Sequence, residues 1–144
     1  MLKIIKIIKE SDLEKAFSIR KTVFVHEQKV SEADEYDDHE GESHHFLAIS
    51  DDMPCATARW RFTEKGVKLE RFAVLKDFRG KKIGNQILKT VLDDIARMPE
   101  TSTHTRYLHA QLTAVSFYEK EGFKKVGEMF EECNIKHFKM VLDV

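Results

Sequence analysis

The sequence predicts an α/β protein of the α+β kind, with one mixed, mostly antiparallel sheet of six to seven strands flanked by about four helices. Three observations carry that reading. Residues 44–50 and 55–62 are short β-rich runs joined by the turn Asp51-Asp52-Met53-Pro54, and the second run alternates cleanly. The stretch LERFAVLKDFRGKKIGNQIL, Leu69 to Leu88, reads as strand, glycine-bearing loop and helix. Arg106 to Ala110 then supplies a strand beyond that helix, and the right-handed crossover makes it a parallel neighbour of the first.

Composition sets the frame. The 144 residues are enough to bury a core and are read as one domain over residues 1–144. A net charge of −1 gives no electrostatic argument for nucleic acid or membrane as a partner. Cys55 and Cys133 fit reduced thiols rather than a disulfide framework, and lysines interrupt the apolar start MLKIIKIIKE, so a cytoplasmic protein is expected.

In chain order, Leu2 to Ile8 is rich in β-branched residues and forms the first strand. Ser11 and Glu14 have capping-box spacing, which predicts a helix from there to about Phe24 with Leu13, Ala16, Phe17 and Arg20 on one face. Residues 31 to 42, SEADEYDDHEGE, carry seven acidic side chains. They read either as a solvated loop or as a negative rim that attracts a cationic amine; the ligand register of an EF-hand is missing. His44 and His45 are adjacent on a strand and point to opposite faces, so they cannot share a metal, and no metal site is expected. On the strand from Cys55 to Phe62, Ala56, Ala58, Trp60 and Phe62 face one way and Cys55, Thr57, Arg59 and Arg61 the other. On the next strand, Glu70, Phe72 and Val74 share one face and Leu69, Arg71 and Ala73 the other.

The loop after Val74 has the build of an anion cradle. Backbone N–H groups converge at a helix start, and Arg79, Lys81 and Lys82 add side-chain cations suited to a polyanion. It is not a Walker loop, because Gly84 is followed by Asn85 and Gln86 instead of Lys and Ser or Thr. It is not a dinucleotide fingerprint either, having only Gly80 and Gly84. Taken alone, the loop also reads as an ordinary turn with surface lysines. The helix from Lys81 buries Ile83, Ile87, Leu88, Val91, Leu92 and Ile95 as one stripe and ends before Pro99. After the strand at 106–110, Thr113 can cap a short helix and Gly122 can end it. Phe123 to Phe130 and Ile135 to Leu142 form a terminal strand pair.

Two segments resemble signatures of the GNAT superfamily of N-acetyltransferases. Ala73-Val74, Arg79, Ile83 and Gly84 match the pattern Arg/Gln-x-x-Gly-x-Gly/Ala, with Lys82 at the usual first glycine. Ala114, Phe117, Tyr118, Glu119, Lys120, Gly122 and Phe123 match N-x-x-A-x-x-F-Y-E-K-x-G-F, with Gln111 in place of Asn. The V-F-V-x-E-Q segment at 23–28, the acidic stretch behind it and an H-x-x-M ending at His137 and Met140 are similar to a narrower ElaA/YjcF-like branch.

The resemblance implies acetyl-CoA (coenzyme A) as cofactor and a sheet whose fourth and fifth strands are parallel and splayed. The backbone of Phe72, Ala73 and Val74 would hold the pantetheine arm. Arg79, Gly80, Lys81, Lys82, Ile83, Gly84 and Asn85 would hold the pyrophosphate, and Gln111, Ala114 and Phe117 would complete the cofactor site. Tyr118 would serve the leaving thiolate. Glu70 would take the proton from the amine, or else pair with Arg59 or Arg61 across the sheet. Glu27, Gln28, Arg59 and His137 are the candidates for acceptor contacts, His137 alternatively packing. The expected function is acetyl transfer to a primary amine, free or on a peptide, by a monomer or homodimer. A non-catalytic acyl-CoA sensor and a protein-interaction module on the same fold are the alternatives.

Overall fold

The computed structural model describes residues 1–142. Its seven strands lie in the order β1-β2-β3-β4-β5-β7-β6. Strand β1 is Leu2–Lys6, β2 is His44–Ser50, β3 is Met53–Thr63 and β4 is Gly66–Val74, each paired antiparallel with the next of these four. Strand β5, Arg106–Gln111, runs parallel to β4, while β7, Ile135–Leu142, pairs antiparallel with both β5 and β6, Phe123–Glu132. The mixed sheet and its single parallel contact agree with the sequence reading.

Four helices flank the sheet: α1 (Glu10–Arg20), α2 (Glu32–Glu35), α3 (Ile83–Ala96) and α4 (Val115–Lys120). On one face α3 buries Ile83, Ile87, Leu88, Val91 and Ile95 against Ala56, Ala58, Trp60, Val67, Leu69 and Leu108. Most of that stripe was legible from its 3.6-residue period. On the other face α1 and the turns after it place Ala16, Ile19, Val23 and Phe24 over Leu47 and Ala73. None of the described helices is long and apolar enough to cross a membrane.

Several local expectations are corrected. The capping box at Ser11 is not used: α1 begins at Glu10, and the Lys9 carbonyl accepts the first helical bonds from Asp12 and Leu13. Instead of stopping near Phe24, the chain continues as wider π-helical turns over Lys21–Glu27. Thr113 makes no cap bond to α4, although Gly122 follows its last turn with φ +97 as a C-terminal glycine should. Cys55 joins Ala56 in the same core because the β2–β3 register shifts beside it. Most consequential is a bulge in β4. Thr57 faces Ala73 and Arg59 faces Glu70, so β4 carries one more residue than β3 between these pairs, and Arg71 takes φ +58. The bulge reverses the alternation. Leu69 shares the core face with Phe72 and Val74, while Glu70 keeps company with Arg59 and Arg61 on the other.

Candidate active site

Strands β4 and β5 pair only at Val67–Arg106, Lys68–Tyr107 and Leu69–Leu108, then diverge. From residue 70 onward, the β5-facing edge of β4 has no strand partner among the described residues. The wedge between them opens a cleft of about 820 Å³. Phe72, Ala73, Val74, Gln111, Ala114 and Phe117 line it, as do Arg79 and Gly84 at one end and Glu70, Tyr118, Gln28 and His137 deeper in. The structure thus gathers most of the residues that the sequence singled out. Glu27 and Arg59 do not reach the cleft wall, and Gly80, Lys81, Lys82, Ile83 and Asn85 lie in the loop and helix start behind it.

At the loop end, conformation does the work that side chains were expected to do. Gly80 has φ +78 and Lys82 φ +64, so two left-handed residues turn the chain into α3. The left-handed shape of the glycine position is therefore kept by a lysine, at a cost of about 1–2 kcal/mol. The first turn of α3 begins directly after it, with its N–H groups free to meet an anion. A Cβ on Gly84 would meet the Phe117 ring at 3.5 Å, so α3 and α4 approach closely behind the cleft. The Arg79 guanidinium is already engaged: Nε donates to the Val74 carbonyl at 2.9 Å, and a terminal N–H donates to Glu27 at 2.8 Å. Lys81 lies over the Phe78 ring, and Asn85 donates to Glu121 at 2.7 Å. Glu27, expected near the acceptor, thus braces the loop after β4 through Arg79. Gln28 accepts from Gln111 at 2.7 Å, linking the turns after α1 to the end of β5.

Tyr118 is 8% exposed and packs edge-on against Phe72, Phe117 and Phe123. Burial pushes its phenol well above the ordinary range, so at neutral pH it is a proton donor. Ala114 and Phe117 come from the same short segment and line the cleft beside Tyr118.

Behind the opposite wall lies a buried ionic network. Arg20 donates to Glu35 at 2.6 Å and to Glu40 at 2.7 Å, and Arg71 contacts Glu35 and Asp37. Arg59, 0% exposed, donates to Asp37, Glu40 and Glu70, each at 2.7 Å. Arg61 and Lys68 converge on the same Glu70 at 2.9 and 3.2 Å. Burial alone would raise the Glu70 carboxyl. The charge of Arg59, the hydrogen bond from Arg61 and the charges of Lys68 and Arg61 outweigh it and hold the group at about 2. Of the two roles read for Glu70, the cross-sheet pairing is the one the geometry displays. A carboxylate this acidic is a weak proton acceptor at neutral pH.

The same network corrects the view of residues 31–42. Glu35 and Glu40 are buried and Asp37 is half-buried, all turned inward onto arginines, so the stretch is neither wholly solvated nor a free negative rim. Ser31 caps α2 through the Asp34 N–H at 3.2 Å. Arg20, Glu35 and Glu40 were missed as site-building residues. One signal was present: a charged Arg20 on the apolar face of α1 requires buried partners. His137 stacks on Phe130, turns Nδ1 toward the Ile135 carbonyl and lines the cleft.

A splayed parallel strand pair, a left-handed loop opening a helix and a buried phenol between them define a class, the acyl-CoA transferases of the GNAT fold. The family model for the acetyltransferase (GNAT) domain matches residues 8–144, and the chain belongs to that family. It is 36% identical to the uncharacterized N-acetyltransferase YjcF of Bacillus subtilis (strain 168) over 93% of this chain and 94% of that protein. The crystal structure of Escherichia coli ElaA superposes with a TM-score of 0.86 at 27% identity, covering 99% of this chain and all of that one. An acyl-CoA N-acyltransferase from Pseudomonas aeruginosa superposes with a TM-score of 0.87 at 26% identity, with the same coverage.

Proposed function

We propose that the protein is an acetyl-CoA-dependent N-acetyltransferase that moves the acetyl group directly to a primary amine. The observation that carries this reading is the cleft itself: unpaired main-chain groups on β4, a cradle at its outer end and the Tyr118 phenol at its inner end. The donor set suits coenzyme A. The N–H groups at the start of α3 would take the pyrophosphate, and the open edge of Phe72 to Val74 would bond the pantetheine amides as an added strand takes its neighbour.

Bound acetyl-CoA supplies the thioester, whose carbonyl carbon gains a C–N bond to the amine and loses its C–S bond to the thiolate. The chain's own groups then have separable tasks. Main-chain N–H groups at the bulge of β4 polarise the carbonyl from a fixed position, a preorganised arrangement that needs no rearrangement at the moment of reaction. Tyr118 donates its phenolic proton to the leaving sulfur. Glu70, held ionised by three cations, keeps Arg61 and Lys68 in place, and the proton released by the attacking amine passes to water. The aromatic wall of Phe72, Phe117 and Phe123 excludes water from the Tyr118 side.

The test is calorimetric. Titration with acetyl-CoA is expected to show binding in the micromolar range, weakened for dephospho-CoA if the lysines of the loop read the ribose phosphate. Amine-dependent release of free thiol is then expected in a screen of primary amines. Absence of acetyl-CoA binding would overturn the reading. Binding without amine-dependent thiol release would make the protein a sensor on this fold.

A further inference from the structure

Arg61 and Lys68 stand directly opposite one another on β3 and β4, an arrangement of like charges that disfavours the sheet unless an anion lies between them. Their shared anion is Glu70, which also carries the charge of Arg59. Among the described residues, the whole network joins five cations, Arg20, Arg59, Arg61, Lys68 and Arg71, to four carboxylates, Glu35, Asp37, Glu40 and Glu70. Three of these five cations share Glu70. Glu132 reaches this side from the β6–β7 hairpin, where it hydrogen-bonds His109 at 3.1 Å and its charge also acts on Lys68.

A second, shallower hollow of about 440 Å³ adjoins this point. Arg61, Lys68 and His109 line both it and the main cleft, so the two are adjacent. Beyond the shared residues, its wall has the paired hydroxyls of Thr63 and Tyr107, together with Lys65 and one acid, the exposed Glu64. Lys139 lies over the Tyr107 ring at 5.1 Å and adds positive charge to this sheet face. The path from Tyr118 past Glu70 thus ends on cations and hydroxyl groups.

Resting on the transferase reading above, we infer that the acceptor is an amine that also carries a carboxylate, bound by Arg61 and Lys68 while its amine faces the cleft. The guanidinium keeps N–H groups that Glu70 does not occupy, and these offer directed donors to the carboxylate. The arrangement replaces the negative rim read from residues 31–42: the acceptor is selected by its anionic end.

The experiment compares matched acceptors. Unbranched ω-amino acids of three to six carbons and the alkylamines of the same lengths are assayed with acetyl-CoA at low salt by thiol release. At one chain length, kcat/KM is expected to favour the amino acid by about tenfold or more, the worth of a charge-assisted hydrogen bond. Lys68→Gln and Arg61→Gln are each expected to collapse that ratio toward one. A ratio at or below one at every length, or a ratio untouched by both substitutions, overturns the inference. If no amine accepts acetyl, the transferase reading has failed, and the carboxylate site is judged by saturation-transfer NMR with γ-aminobutanoate and butylamine. Signal for the amino acid alone, lost in Lys68→Gln, upholds it; equal signals, or none for the amino acid, overturn it.

Discussion

The outer end of the cleft is made from the backbone of a few consecutive residues, whereas the inner wall is made from side chains that the fold draws together from distant parts of the chain. At the outer end, Gly80 and Lys82 set the turn by their φ angles, and the cations around them lie at the surface. At the inner wall, Arg59 joins Asp37, Glu40 and Glu70, and Arg71 reaches Glu35 36 residues away. The difference teaches where each end is vulnerable. A backbone cradle tolerates side-chain change so long as its conformation holds, while a buried ionic wall fails when one member is removed and its partners remain.

That contrast can be broken most forcefully at Arg59. Replacement by Met takes a buried cation from three carboxylates at once, and urea unfolding is expected to show a loss of about 3–5 kcal/mol. A loss under about 1 kcal/mol would mean that the wall is not a cooperative network. Next comes pH. The Glu70 carboxyl drops from 4.5 to about 2 on folding, so its contribution is complete above about pH 4.5 and disappears as pH falls toward 2. It amounts to roughly 3 kcal/mol. In Glu70→Gln that segment of the stability–pH curve should flatten; an unchanged curve would remove Glu70 from the account.

At the other end the expected effects are smaller and of opposite sign. Lys82→Gly relieves left-handed strain worth about 1–2 kcal/mol. It also adds about 0.4–1 kcal/mol of unfolded-state freedom, so a net gain of about 1 kcal/mol or less is expected in thermal unfolding. A destabilised variant would show that the lysine side chain, not the conformation, matters there. A pair of serines gives a contrast of similar size. Ser31→Ala removes the α2 cap and should cost about 1 kcal/mol, while Ser11→Ala, with no cap bond to lose, should stay within about 0.5 kcal/mol.

How far the sequence could be read follows the same division. The crossover, the stripe on α3, the loop and the segment Ala114 to Phe123 are written in short stretches whose spacing carries their geometry, and each stands where expected. The faces of β4 were misread because the bulge at Arg71 depends on pairing with β3, which no local pattern encodes. Residues 31–42 looked solvated because seven acids within twelve residues are usually hydrated. Their partners, Arg20, Arg59 and Arg71, lie on α1, β3 and β4, and only the folded sheet brings those three together. Ser11 had the right spacing for a cap but lost to a helix that starts one residue earlier.

The central claim is that the phenol between the two ends serves the leaving sulfur, and Tyr118→Phe tests it most directly. Turnover at saturating acetyl-CoA and amine is expected to fall by about a hundredfold, the lower range for a general acid. Acetyl-CoA affinity by calorimetry should be kept within a factor of about two, because the cradle lies at the other end. Unchanged turnover in this variant would contradict the account.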